Sequence, residues 1–255
     1  MHAPRDLPLM AADVLARIRA RGPRVHCITN SVAQNFTANM LLAAGAVPSM
    51  TTDPDEISEF VASADALLVN LGTLDAVRQA AIKAALAEAQ GHRPWVLDPV
   101  FVDRALSRAT FALELVARRP DVTRLNDAEF SALAEEAPAP ESLARYARER
   151  ATVVAMTGDL DIVTDGARTV SIRNGDPLMA KVTAMGCAAS ALAAACLAVE
   201  PDAWRAAAAG LILIGIAGER AARRAYGPGT LATGILDALH GLDERTIVER
   251  AKVTT

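Results

Sequence analysis

From Arg24 to Gly158 short apolar runs alternate with longer helical patterns, and this alternation limits the chain to few folds. RVHCI is followed by NSVAQNFTANMLLAAG, then VPSM, DPDEISEFVASA and DALLVNLG, and then a long Ala-rich stretch. PWVLDP, DVTRLN and ATVVAMTG continue the rhythm, each an apolar strand ending in a polar or turn residue. The pattern is βαβα and predicts an α/β fold, a mainly parallel central sheet with helices on both faces. IVTDGARTVSI breaks the rhythm, because two β-type segments flank Asp165-Gly166 and predict a hairpin at a sheet edge. Beyond it the pattern predicts helix to the end of the chain.

No internal repeat is visible, and EEAPAPES reads only as a helix-to-helix connection. With 255 residues, 52% of them hydrophobic, the chain can bury a large core, and one domain over 1–255 is expected. Net charge is −4, aromatics are 4% and basic residues are scattered, so no nucleic-acid surface is expected. Cys27, Cys187 and Cys196 form an odd set without a CxxC pair, which suits a reducing cytoplasm. The N-terminus does not resemble a signal peptide. The most apolar runs, Cys187–Val199 and Ala206–Gly218, are shorter than the ~20 residues that span a bilayer and read as buried helices, so no membrane partner is expected.

Asn30, Asn70, Asp98, Asn126 and Thr157-Gly158 each follow an apolar strand. Singly, each reads as an ordinary cap or turn residue. Together they put a carboxylate, several amides and a hydroxyl on one rim of the sheet, where ligands collect in such folds. Asn126 and Glu129, three apart at the opening of a helix, leave two readings even: a capping box, or a face that helps hold a hydrated Mg2+ near phosphates. Arg124, at the end of its strand, either neutralises phosphate oxygens or makes a surface salt bridge.

KVTAMGCAAS opens a helix of small apolar residues, so Gly186 and Cys187 fall where unpaired backbone N–H groups attract anions. A thiol there has its pKa lowered by the helix dipole and is reactive or accepts a proton; the other reading, slightly favoured, is a buried, inert cysteine. Cys196, deep in the same helix, reads as core. HCITNSVAQNFTANMLLAAGAVPSM supplies an Asn-capped helix and a short strand ending in Met50. Met50 reads as packing by its spacing, although its soft side chain suits a sulfur-containing aromatic ring. His26 reads as a hydrogen-bonded core histidine, since no second His or Cys stands at metal-ligand spacing.

In their order, VHCITNSVAQNFTANMLLAAGAVPSM, LLVNLGTL, WVLDPV, TRLNDAEF, VVAMTGDLDIVTDG and KVTAMGCAASALAAA resemble the hydroxyethylthiazole kinase family over nearly the whole chain. The resemblance implies a ribokinase-like fold and phosphorylation of the hydroxyl of 4-methyl-5-(2-hydroxyethyl)thiazole, with ATP and Mg2+, in thiamine salvage. It implies that Met50 lines the thiazole pocket with Asn30 and Ala184 nearby, and that Arg124, Thr157 and Asn126 contact ATP. Asp98 and Glu129 would form the Mg2+ region, and Gly186 and Cys187 the anion hole, Cys187 standing where many ribokinase-like relatives carry an Asp base. A homotrimer with sites at subunit interfaces is implied as well.

The family's DPVGVGA is DPVFVDR here, its RGN is Arg124-Leu125-Asn126, and its TGTGC is Thr183-Ala184-Met185-Gly186-Cys187. Phe101, Asp103, Leu125 and Ala184 therefore stand at glycine positions. A Cβ at Ala184 restricts φ and the approach of a phosphate to the backbone, while Phe101 and Asp103 alter the cleft wall. Two rival expectations follow: a kinase of the same fold acting on another small alcohol such as a hydroxymethylpyrimidine, and a catalytically silent thiazole-binding protein.

Overall fold

Parallel strands need crossovers, and the helical segments between the apolar runs supply them. The computed structural model describes residues 6–89 and 91–254. Within them the apolar runs become β1 Arg24–Ile28, β2 Val47–Ser49, β3 Ala66–Asn70, β4 Trp95–Asp98, β5 Val122–Leu125 and β6 Val153–Met156. The predicted hairpin is β7 Asp161–Thr164 and β8 Thr169–Ile172, with Gly166 at φ 89° in the turn. One expectation is corrected: the chain does not stay helical to its end, because β9 Val253–Thr254 pairs antiparallel with β8. A two-residue strand is too short to carry a periodicity, so nothing in the sequence announced it.

The sheet order is β2-β1-β3-β4-β5-β6-β7-β8-β9, parallel from β2 to β6 and antiparallel beyond. β1 lies between β2 and β3, so the chain reverses its travel across the sheet there. In open α/β sheets the crevice at such a switch point, outside the carboxyl ends of the strands, is where ligands bind.

Helices cover both faces. One layer holds α1 Asp6–Arg21, α2 Gln34–Ala44, α8 Met185–Leu197, α9 Ala203–Ala222, α10 Pro228–His240 and α11 Glu244–Arg250. The other holds α3 Ile57–Ser63, α4 Ala76–Ala89, α5 Leu106–Val116, α6 Asp127–Ala134 and α7 Pro140–Arg150. The strand pleat sorts residues between the layers: Leu68, Val96 and Val122 face the layer of α8 and α9, whereas Leu67, Leu97 and Leu125 face the opposite core. α8 packs across β1, β3 and β4 and against α9. Its small residues permit this close approach, since a Cβ at Gly210 of α9 would lie 3.2 Å from Ala193 Cα.

Cys196 is fully buried, as expected, and all three cysteines are free and buried. His26 is a core histidine whose ring nitrogens bond Ser49 Oγ at 2.8 Å and the Thr51 carbonyl at 3.1 Å. Among the described residues no helix is long and apolar enough to cross a membrane.

Candidate active site

The pleat that turns Leu68, Val96 and Val122 toward the layer of α8 and α9 places Asn70, Asp98 and Arg124, two residues further along, on the same side at the carboxyl edge. Asp98 is fully buried there. Its Oδ2 accepts from Asn70 Nδ2 at 2.7 Å and from the Ser190 hydroxyl at 2.9 Å. Its Oδ1 has no hydrogen-bond partner and stands 3.6 Å from Arg124 Nη1. Asn30 reaches the same cluster, its Nδ2 donating to Asn70 Oδ1 at 3.4 Å and to Cys187 Sγ at 3.3 Å.

Arg124 spans the site. Its Nη2 donates to Thr157 Oγ1 at the end of β6, and its guanidinium lies over Gly186 in the first turn of α8. A Cβ added at Gly186 would sit 2.7 Å from Nη1 and 2.9 Å from Nη2, so only glycine leaves room for this side chain. Two positive features thus converge on one point: a guanidinium and the start of a helix whose leading N–H groups lack intrahelical partners. Asp98 offsets part of that charge, and the remainder suits an anion.

The Asn126–Glu129 question is resolved locally. Asn126 Oδ1 accepts the Glu129 N–H at 2.9 Å and Glu129 Oε2 accepts the Asn126 N–H at 2.9 Å, a complete capping box on α6. Glu129 Oε1 also takes the Phe101 N–H at 3.1 Å. Burial, followed by the nearby Asp98, pushes the Glu129 carboxyl above the usual carboxylate range. Capping and a cation role are compatible, since each carboxylate oxygen has a second lone pair.

One expectation about α2 is corrected, and of the two readings of Cys187 the buried one fits its place in α8. Burial, followed by the nearby Asp98, pushes the Cys187 thiol up to about 11 against the pull of Asn70, Asn30 and Arg124, so it keeps its proton at neutral pH. This is the placement of the buried reading. Asn30 does not cap α2, which starts at Gln34 after Ala33; its Oδ1 instead accepts the Ala33 N–H at 2.8 Å and closes the turn between β1 and α2.

The residues at glycine positions differ in their backbones. Ala184, the N-cap of α8, has φ 69° and Phe101 has φ 60°, both in the left-handed region that glycine adopts freely. The glycine geometry is therefore kept at both positions. Leu125 is an ordinary strand residue buried against the opposite core, and Asp103 pairs with Arg104 at 2.8 Å. Met50 follows β2 and packs at the border of the α8-side core, and no hydrogen bond or ion pair ties it to the Asp98 cluster. Asn30, Asp98, Arg124, Thr157, Gly186 and Cys187 are brought together, with Asn126 and Glu129 beside them.

Ser190 and Asp161 escaped sequence reasoning. Ser190 is one polar residue in an alanine-rich helix, and a serine one turn beyond a helix start is the only signal it gives. Asp161 accepts the Gly158 N–H at 3.0 Å, and burial pushes its carboxyl up to about 6, against the pull of Arg124. Two cavities lie away from the cluster: one of about 560 Å3 among Arg220, Thr230 and Glu249, and one of about 850 Å3 around His92, Trp95 and Arg118.

A polar cluster at the switch point of a mainly parallel sheet defines an α/β protein that binds its ligand at the carboxyl edge of the strands. The fold is similar to that of a ribokinase-like superfamily protein from Enterococcus faecalis V583, with a TM-score of 0.71 at 17% identity over 89% of this chain and 93% of that one. The model of the hydroxyethylthiazole kinase family matches residues 15–245. A probable hydroxyethylthiazole kinase from Agrobacterium fabrum (strain C58) is 45% identical over 95% of this chain and 94% of its own. The structure of the hydroxyethylthiazole kinase protein from Pyrococcus horikoshii OT3 is similar with a TM-score of 0.92 at 39% identity, covering 96% of this chain and 98% of that one. The chain belongs to the hydroxyethylthiazole kinase family, and it is a kinase.

Proposed function

We propose that this protein transfers the γ-phosphoryl group of ATP to the hydroxyl of 4-methyl-5-(2-hydroxyethyl)thiazole, in thiamine salvage. The observation that carries the reading is the seat of the Arg124 guanidinium over Gly186, which joins a fixed cation to the N–H groups at the start of α8. The family and the close relatives support the choice of acceptor.

A magnesium ion fits the residues present. Asp98 Oδ1 is a buried acceptor without a hydrogen-bond partner, and the Glu129 carboxylate lies close enough for Asp98 to raise its pKa. No group of three or more potential metal ligands occurs among the described residues, and none is needed, because Mg2+ is commonly held by one or two carboxylates together with substrate phosphates. When bound, the ion would neutralise charge on those phosphates.

In this reading Arg124, Thr157 and Asn126 bind ATP, Asp98 and Glu129 hold the cation, and Met50, Asn30 and Ala184 border the thiazole. The acceptor oxygen forms its bond to the γ-phosphorus as the bond to the ADP oxygen breaks. The N–H groups of Gly186 and Cys187 and the Arg124 guanidinium stabilise charge on the moving group, so catalysis is chiefly positioning and electrostatics. A protonated thiol at Cys187 accepts no proton, which suits a loose transition state in which the alcohol loses its proton late, to an oxygen of the transferred phosphoryl group. One kinase domain over 1–255 is supported by the single sheet that runs from β2 to β9. A homotrimer that completes each site at an interface is supported by Val32, Leu42 and Val47, exposed apolar residues on the β1–α2–β2 unit that carries Met50. A cytoplasmic location is supported by the free cysteines.

A coupled ADP-release assay with hydroxyethylthiazole as acceptor tests the proposal. ADP release that depends on the thiazole alcohol and exceeds that with a hydroxymethylpyrimidine is expected. Preference for the pyrimidine, or thiazole binding with no ADP release in the presence of Mg2+ and ATP, refutes it in favour of the corresponding rival.

A further inference from the structure

Asp98 accepts hydrogen bonds on one oxygen only. Both of its donors, Asn70 Nδ2 at 2.7 Å and the Ser190 hydroxyl at 2.9 Å, fall on Oδ2, while the buried Oδ1 takes no hydrogen bond and meets only the charge of Arg124 Nη1 at 3.6 Å. A bare oxygen on a fully buried carboxylate is unfavourable unless something else meets it.

The two donors are themselves fixed. Asn70 Oδ1 accepts the Gly72 N–H at 2.9 Å, which settles that the amide nitrogen faces Asp98. Ser190 has one hydroxyl proton and two acceptors in reach, Asp98 Oδ2 at 2.9 Å and the Gly186 carbonyl at 3.1 Å, of which the carboxylate is the stronger. Ser190 is also flanked by Ala188, Ala189 and Ala191, all buried, so a methyl group would satisfy the packing. The hydroxyl is there for its proton. It stands one turn beyond Gly186 and ties the helix that carries the anion hole to the carboxylate at the end of β4.

We propose that Asn70 and Ser190 are positioning residues for phosphoryl transfer: by occupying Oδ2 they orient Asp98 so that Oδ1 is presented to the divalent cation accompanying the nucleotide. This rests on the reading of Asp98 as a cation ligand given above. Groups that orient a metal's carboxylate ligand in this way typically change metal affinity or activity about 10–100-fold when removed.

The test is calorimetric titration of the full-length protein with ADP, once with Mg2+ and once with EDTA, beside the melting temperature of the free protein. Ser190→Ala is expected to fold with a melting temperature lowered by a few degrees, since a hydrogen bond to a buried carboxylate is lost, to keep its affinity for ADP in EDTA, and to lose about tenfold of the affinity that Mg2+ adds. Ser190→Thr, which keeps the hydroxyl, retains that gain. Asn70→Ala, acting from the sheet and not from α8, reproduces the loss. Adding Ser190→Ala to Asp98→Asn brings no further loss, because the carboxylate being oriented is gone. A full Mg2+ gain in Ser190→Ala, or an equal loss of affinity in Mg2+ and in EDTA, overturns the proposal. Wild-type protein that binds ADP equally with and without Mg2+ removes the cation reading beneath it, a result distinct from a wild-type gain that Ser190→Ala leaves intact.

Discussion

Replacing Gly186 by alanine adds one carbon where Arg124 lies over the first turn of α8. That carbon would stand 2.7 Å from Nη1, 2.9 Å from Nη2 and 3.0 Å from Cζ. Ordinary contact begins near 3.4 Å, so the guanidinium must retreat by about 0.7 Å. Because the far end of a flexible side chain yields, the fold survives: overpacking typically costs about 1–3 kcal/mol, a shift of roughly 2–4 °C per kcal/mol for a chain of this size. The chemistry does not survive as well. The retreat takes Arg124 from Thr157 Oγ1 and from Asp98, and removing one donor from a developing oxyanion costs about 3 kcal/mol in the barrier, or roughly 10²-fold in rate. Coupled ADP release with hydroxyethylthiazole should therefore fall about a hundredfold in Gly186→Ala and further in Gly186→Val. In an Arg124→Ala background the same change should cost little, because its partner in the clash is absent. A wild-type rate for Gly186→Ala, or an undiminished cost without Arg124, would show that the guanidinium and the helix start do not act as a unit.

Cys187→Ala should be impaired but active, losing less than Gly186→Ala in the same assay, and iodoacetamide should label the wild-type thiol slowly at neutral pH and faster as pH approaches about 11; fast labelling at neutral pH contradicts the buried thiol. Ala184→Gly should leave the melting temperature unchanged or raise it slightly, since relief of the left-handed φ offsets the added chain entropy. Ala193→Gly, in the right-handed body of α8, should lower stability by about 1 kcal/mol or more, and equal losses at the two positions would rule out strain at Ala184. Asp161 keeps its proton in the folded chain up to about 6, whereas the unfolded carboxyl loses it near 3.8, so its ionisation weakens the fold as pH rises through that window. Asp161→Asn should consequently be more stable than wild type at pH above about 6, with the advantage fading toward about pH 4, and a difference that is flat with pH in urea titrations would refute it.

The alternation of apolar runs and helical segments is local, and it was sufficient for the parallel strands, for both helical layers and for the polar rim carrying Asn30, Asn70, Asp98, Asn126 and Thr157. The order of the quoted segments was sufficient for the family. What the chain did not disclose were the contacts that join distant segments: the guanidinium of Arg124 over Gly186, the Ser190 hydroxyl on Asp98, and the lone Oδ1 between them. Nor did it disclose that Asp98 adds to burial in raising the Cys187 thiol, or that Ala184 and Phe101 keep a glycine backbone. Period and composition specify which face of an element is apolar, because that pattern repeats every few residues. Which donor meets which acceptor, and which titratable group loses its water, depends on how α8 settles across β1, β3 and β4, and only the packed tertiary structure determines that.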